Sequence, residues 1–96
     1  MRTSKIFCII AYDIEDNKTR AKVMKLLRKY GSIVNLSVFE CMTTETQFRN
    51  LVGKINKIVN SQSDKVIYYR ICMNCYSKII YHPEKIMRPN KISNLV

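Results

Sequence analysis

Six apolar residues, Ile6-Phe7-Cys8-Ile9-Ile10-Ala11, run without a polar break and end at Tyr12-Asp13. The run is too short for a buried helix and reads as a strand covered on both faces. The acids Asp13, Glu15 and Asp16 stand where this strand empties into a loop, and helix-forming sequence follows from Asn17. A carboxylate at the end of a central strand is held in place by it, as a metal ligand or catalytic group must be. The plainer use of Asp13 is to begin the loop that caps the helix. Asp16 or Asn17 is better placed for that duty, which leaves Asp13 over.

The chain has 96 residues, enough for one small domain. Residues 1–82 are expected to form it, with 83–96 as a tail that carries Pro89 and no clear period. No apolar run approaches the length that crosses a membrane, and Met1–Lys5 has no signal-peptide pattern. A cytoplasmic protein without a membrane partner is therefore expected. Cys8 and Cys41 lie in strand-like runs and read as small buried hydrophobes in a reducing compartment. Lys and Arg number 17 against 7 acids, a net charge of +10. That excess exceeds what solubility asks of so small a surface and attracts polyanions, nucleic acid first and an anionic membrane surface second.

Lys18–Tyr30 has the spacing of a helix, with Val23, Met24, Leu27 and Tyr30 on one face. Lys18, Lys22, Lys25 and Lys29 make a basic stripe on another face, with no acid in the helix to pair with them. Such a stripe is either a solvated face or a row of phosphate contacts. Gly31 is placed to end the helix in the left-handed conformation. Ser32–Met42 reads as two strands turned near Asn35–Ser37. Thr43–Asn60 reads as the second helix, with a capping box from Thr44 and Gln47 and an apolar face of Phe48, Leu51, Val52, Ile55, Ile58 and Val59. Gly53 sits inside it at a cost of about 1 kcal/mol relative to Ala, which a close packing partner would explain. After a polar loop at Ser61–Asp64, Lys65–Met73 is a strand apolar on both faces apart from Arg70. Arg70 can pair with an acid, touch phosphate or snorkel at an edge. Ser77–Tyr81 is expected to add a short strand, which His82-Pro83 stops.

The order is that of an α+β, ferredoxin-like β-α-β-β-α-β domain with a short extra C-terminal strand. Both helices then cover one sheet face. The first and last long strands are apolar on both faces, and a bare apolar face of that size does not stay exposed on a monomer. A homodimer packed through the sheet faces is the simplest solution.

Several chemistries have little support. Cys72-Met73-Asn74-Cys75 is a lone CxxC, and His82 is the only histidine, too few ligands for structural zinc. A thioredoxin-like CxxC opens a helix, whereas Tyr76–Tyr81 has the composition of a strand. No Ser-His-Asp arrangement suggests itself, and Gly31 and Gly53 cannot build a glycine-rich phosphate loop. No small-molecule cofactor is expected. What remains is Asp13 beside a positive surface. One carboxylate is a poor Mg²⁺ site, but a two-fold axis can supply a second Asp13, and two carboxylates with waters suit Mg²⁺, or Mn²⁺ in its place. Tyr12, Arg20 and Ser37 are candidates for positioning phosphate.

Tyr12-Asp13-Ile14, Arg20, Tyr30-Gly31, Ser37-Val38-Phe39-Glu40 and Ile71-Cys72 with Cys75, in this order and spacing, resemble the small CRISPR-associated protein of the spacer-acquisition machinery, the "Cas-two" family. The resemblance covers Lys5–Tyr81. It implies a ferredoxin-like homodimer and a metal-dependent endonuclease, acting on single-stranded RNA or on DNA, with Asp13 of both protomers at the metal and Tyr12 beside it as a catalytic candidate. It implies contact of Arg20 and Phe39 with activity or substrate, to which the chain adds Lys18, Lys22, Lys25 and Ser37 as nucleic-acid-binding candidates. It further implies a place in spacer integration beside a CRISPR integrase subunit. A non-catalytic dimeric scaffold that grips duplex DNA and bridges integrase subunits is the alternative. Asn35 stands where the family usually has Gln, and Lys22 where some members have Arg.

Overall fold

The computed structural model describes residues 5–82. Strand β1 spans Lys5–Asp13, helix α1 Asn17–Leu27, β2 Gly31–Asn35, β3 Val38–Thr44, helix α2 Glu45–Ile58 and β4 Lys65–Ile71. A single helical turn, α3, follows at Met73–Tyr76. The four strands form one antiparallel sheet in the order β2-β3-β1-β4. The apolar run at Ile6–Ala11 is thus a central strand, paired on both edges.

Alternation along β1 sends Cys8, Ile10 and Tyr12 to one sheet face and Phe7, Ile9 and Ala11 to the other. Cys8, Ile10 and Tyr12 join Phe39 and Cys41 of β3, Val23 and Leu27 of α1, and Phe48, Leu51 and Ile55 of α2 in the main core. Both helices therefore cover the same face, as the element order requires. Cys8 and Cys41 stand opposite one another across β1 and β3, buried and unlinked.

Local signals set the helix starts. The Asp16 carboxylate accepts from the Thr19 N–H at 2.8 Å, and this bond holds its pKa below the ordinary carboxylate value. At α2 the Thr44 hydroxyl accepts from the Gln47 N–H at 3.1 Å, and the Gln47 side chain accepts from the Thr44 N–H at 2.9 Å. This is the capping box read from the sequence. The end of α1 differs from expectation. The helix stops at Leu27, Arg28 closes it with right-handed backbone, and Gly31 opens β2. Gly31 serves a close approach of strands. A Cβ there would stand 1.9 Å from the Glu40 carbonyl oxygen and 2.7 Å from Cys41 Cα. No close packing partner accounts for Gly53, since a Cβ at that position meets nothing within 4 Å.

The short strand expected at Ser77–Tyr81 is not formed. The Cys72 thiol caps a helical turn instead, and Tyr76 is drawn onto the sheet. Its ring lies 4.6 Å from that of Phe7, and the two close a second cluster with Met42 on the face away from the helices. The N–H groups of Ser77, Lys78 and Ile79 turn back to Met73, Cys75 and Tyr76, so they are unavailable to a strand ladder. Beyond this cap the outer face is open: Ile67 and Tyr69 are 50% and 51% exposed. Arg70, on the helix side, pairs with Glu45 at 2.6 Å and lies over the Phe48 ring. The tail expected over 83–96 lies outside the described residues.

Candidate active site

Asp13 is the last residue of β1 and projects with Ala11 toward the open sheet face. It stands across from Lys65 of β4 without an ion pair. Its carboxylate is exposed and makes no hydrogen bond to any described residue. A rigid strand thus presents an uncommitted anion at the surface. Two clefts meet at it. One, of about 400 Å³, is lined by Tyr12, Asp13, Ile14, Arg20, Met24, Leu36 and Ser37. The other, of about 170 Å³, opens on the uncovered face between Ala11, Asp13, Ser37, Lys65 and Ile67.

Tyr12 brings the β2–β3 turn to this place. Its N–H donates to the Ser37 carbonyl at 3.0 Å, and its phenol donates to the Leu36 carbonyl at 2.8 Å. The Asn35 side chain shapes the same turn by accepting from the Ser37 N–H at 3.0 Å. Burial raises the Tyr12 phenol pKa, while Arg20 and Arg28 oppose the shift. The group therefore stays a protonated donor through neutral pH.

Arg20 reaches back from α1 to the loop that follows Asp13. Its guanidinium donates to the Ile14 carbonyl at 2.7 Å, to the Glu15 carbonyl at 3.4 Å and to the Asn17 side-chain oxygen. These contacts brace the loop directly after the carboxylate.

Tyr12, Asp13, Arg20 and Ser37 are thus gathered around one cleft. Phe39 does not join them. It is 0% exposed, with its ring 6.1 Å from that of Tyr12, so the contact with nucleic acid expected of it is corrected to a packing role behind Tyr12. Lys18, Lys22 and Lys25 are exposed along α1, Lys29 is exposed in the turn after it, and none of the four lines either cleft. The contribution of Asn35 and Leu36 escapes a reading of the sequence. The Asn35-Leu36-Ser37 turn signal is visible there, but its docking on Tyr12 is a long-range contact.

Among the described residues, no group of three or more His, Cys, Asp and Glu side chains could hold a metal ion. The chain brings one carboxylate to the clefts, with hydroxyl and carbonyl oxygens around it. Hard oxygen donors fit Mg²⁺ or Mn²⁺ and not a thiophilic metal, and one carboxylate is half of what such an ion takes from protein.

A four-stranded antiparallel sheet with two helices on one face, and an open carboxylate at the end of its central strand, defines a small α+β domain of ferredoxin-like order. The sequence profile of the family described as CRISPR associated protein Cas2 matches residues 6–79, and the chain belongs to that family. A relative from Chloroflexus aurantiacus, named CRISPR-associated endoribonuclease Cas2 3, is 39% identical over 67 residues, 70% of this chain and 72% of the relative. The crystal structure of Streptococcus pyogenes Cas2 at pH 6.5 superposes with a TM-score of 0.71 at 25% identity, covering 78% of this chain and 96% of that one. A chain of a solved partial Cas6-RT-Cas1–Cas2 complex is similar at a TM-score of 0.68 and 29% identity, covering 85% of this chain and 90% of that one.

Proposed function

We propose that this protein is a metal-dependent endonuclease of CRISPR adaptation, cutting single-stranded RNA or DNA as a homodimer and serving beside an integrase subunit in the integration of new spacers. The observation that carries the reading is the placement of Asp13, an exposed carboxylate without a partner among the described residues, fixed at the end of a central strand between two clefts. The name endoribonuclease borne by the Chloroflexus relative supports the reaction class, and the Cas6-RT-Cas1–Cas2 complex supports the integrase partner.

The dimer follows from the open face. Ile67 and Tyr69 lie on it half exposed, and Asp13 shares it. A two-fold axis through that face removes apolar surface from water and brings the Asp13 carboxylates of both protomers to one seam. The pair would hold Mg²⁺ or Mn²⁺, which when bound offsets charge on a phosphodiester and activates water for in-line attack. The other residues act around this point. Tyr12 holds the β2–β3 turn so that Ser37 lies beside Asp13, and Ser37 offers a hydroxyl to a phosphate oxygen. Arg20 holds the loop behind the carboxylate and lends positive charge to the cleft. Lys18, Lys22 and Lys25 hold the flanking backbone of nucleic acid by charge alone.

The second reading, a non-catalytic scaffold that grips duplex DNA, draws on the exposed lysine stripe of α1, which lines neither cleft at Asp13. Asp13→Asn separates the two. It keeps shape and removes the charge that a hard cation requires. Cleavage of labelled RNA and DNA with Mg²⁺ should fall by about a hundredfold or more, while dimer size and duplex gel shifts persist, since apolar faces and lysines supply those. Equal cleavage by variant and parent would reject Asp13 as the ligand. Absence of cleavage by the parent, with salt-sensitive duplex binding, would leave the scaffold.

A further inference from the structure

Four cysteines fall into two unlike pairs. Cys8 and Cys41 are buried in the main core, whereas Cys72 and Cys75 are exposed at the start of α3. The strand composition of Tyr76–Tyr81 argues against a redox CxxC, because such a motif opens a helix. The fold removes that objection. Met73–Tyr76 is a helical turn with Cys72 as its N-cap. Cys72 has extended backbone, and its sulfur accepts from the Cys75 N–H at 3.4 Å. The i, i+3 spacing across a helix start puts both sulfurs on one side of the turn.

We infer that Cys72 and Cys75 form a thiol–disulfide exchange pair whose substrates are small-molecule disulfides of the glutathione class. Cys72 is the attacking sulfur and Cys75 the resolving one. The Cys75 N–H and thiol, the Asn74 N–H and the charge of Lys78 lower the Cys72 pKa, the Cys75 N–H most. Hydrogen bonding to Cys72, and the charge of its thiolate, raise Cys75. The Cys72 thiolate attacks one sulfur of the disulfide, forms a mixed disulfide and releases one small thiolate. The Cys75 thiol gives its proton to solvent and attacks the Cys72 sulfur, which releases the second small thiolate. Two protein thiols are oxidised, and one small disulfide is reduced to two thiols. The product closes a ring across the first turn of α3, directly before Tyr76, the residue that plugs the second cluster against Phe7. A lone turn this short does not persist by itself, so the bond ties down the support of that plug.

The test is made on the full reduced chain in glutathione redox buffer, with free thiols then alkylated and peptides weighed. The parent should lose two hydrogens as a Cys72–Cys75 disulfide while Cys8 and Cys41 stay alkylatable only after denaturation. Cys75→Ser should accumulate the mixed disulfide on Cys72. Cys72→Ser should react at Cys75 more slowly than Cys75→Ser reacts at Cys72. The residue-75 N–H that lowers the Cys72 pKa survives in Cys75→Ser, whereas Cys75 has no such donor in Cys72→Ser, so Cys72 carries the larger thiolate fraction and reacts faster. Both side chains are exposed, so neither variant should disturb folding, and circular dichroism checks this. No intrachain disulfide at any buffer ratio, a disulfide only between chains, or faster reaction at Cys75 than at Cys72 would each overturn the inference.

Discussion

Tyr12→Phe distinguishes a catalytic phenol from a structural latch. The phenol donates to the Leu36 carbonyl at 2.8 Å, and the ring packs beside Phe39. Phenylalanine keeps the ring and deletes only the bond. A net hydrogen bond of this kind is worth about 0.5–1.5 kcal/mol. The second tie, from the Tyr12 N–H to the Ser37 carbonyl at 3.0 Å, is backbone and survives the change. The turn should therefore loosen without detaching. With a urea m-value of about 1–3 kcal/mol/M, a loss near 1 kcal/mol lowers the unfolding midpoint by about 0.3–1 M. Loss of the latch cannot cost cleavage more than its own stabilising energy, which is about tenfold for 1.4 kcal/mol. A phenol acting as general acid or base would instead be worth about 10²–10⁴-fold. Urea unfolding and single-turnover cleavage on one preparation give both numbers. An unchanged midpoint together with a hundredfold loss of cleavage would refute the latch and return Tyr12 to the chemistry.

Other consequences can be checked singly. Burial pushes the Tyr68 phenol up to about 12, and its oxygen is buried without a partner among the described residues. The unfolded phenol ionises near pH 10, so this contribution to stability is whole below about pH 10 and is lost as the pH rises toward 12. Tyr68→Phe should flatten that alkaline decline, and at neutral pH leave stability unchanged or raise it by about 1 kcal/mol, as read by denaturant titration at several pH values. Gly53→Ala should stabilise by about 0.5–1 kcal/mol, because the site is helical, exposed and open to a methyl group; a lower melting temperature would contradict this. Replacing Lys18, Lys22, Lys25 and Lys29 with Gln should reduce the salt dependence of duplex binding by about 0.9 in log–log slope for each phosphate no longer neutralised, and an unchanged slope would assign the stripe to solvation.

The elements that the chain declares locally are those whose physics is local. The period of Phe48, Leu51 and Ile55 and the Thr44–Gln47 box specify α2 before any tertiary contact forms. The unbroken run Ile6–Ala11 specifies a strand, and hydrogen-bonded neighbours on both of its edges make it a central one. Asp13 was legible for the same reason: it is the first charge after that strand. The Asn35–Ser37 turn announces itself through Asn and Ser.

Tertiary structure decided what depends on residues far apart. Phe39 and Tyr12 look alike as exposed-or-buried candidates, and the pairing of β1 with β3 sends both rings into the core while leaving the Tyr12 phenol to grip the turn. Gly31 resembles a helix terminator in sequence, but it is needed because Glu40 and Cys41 pass too close for a side chain. The residues after β4 have strand-like composition, yet Phe7 and Met42 offer Tyr76 a place on the open sheet face, and burying that ring bends the chain into a helical turn. Composition weighs a segment's own preference, on the order of 1 kcal/mol for strand propensity. Burial of one aromatic ring outweighs that, and only the folded sheet determines where the ring can go.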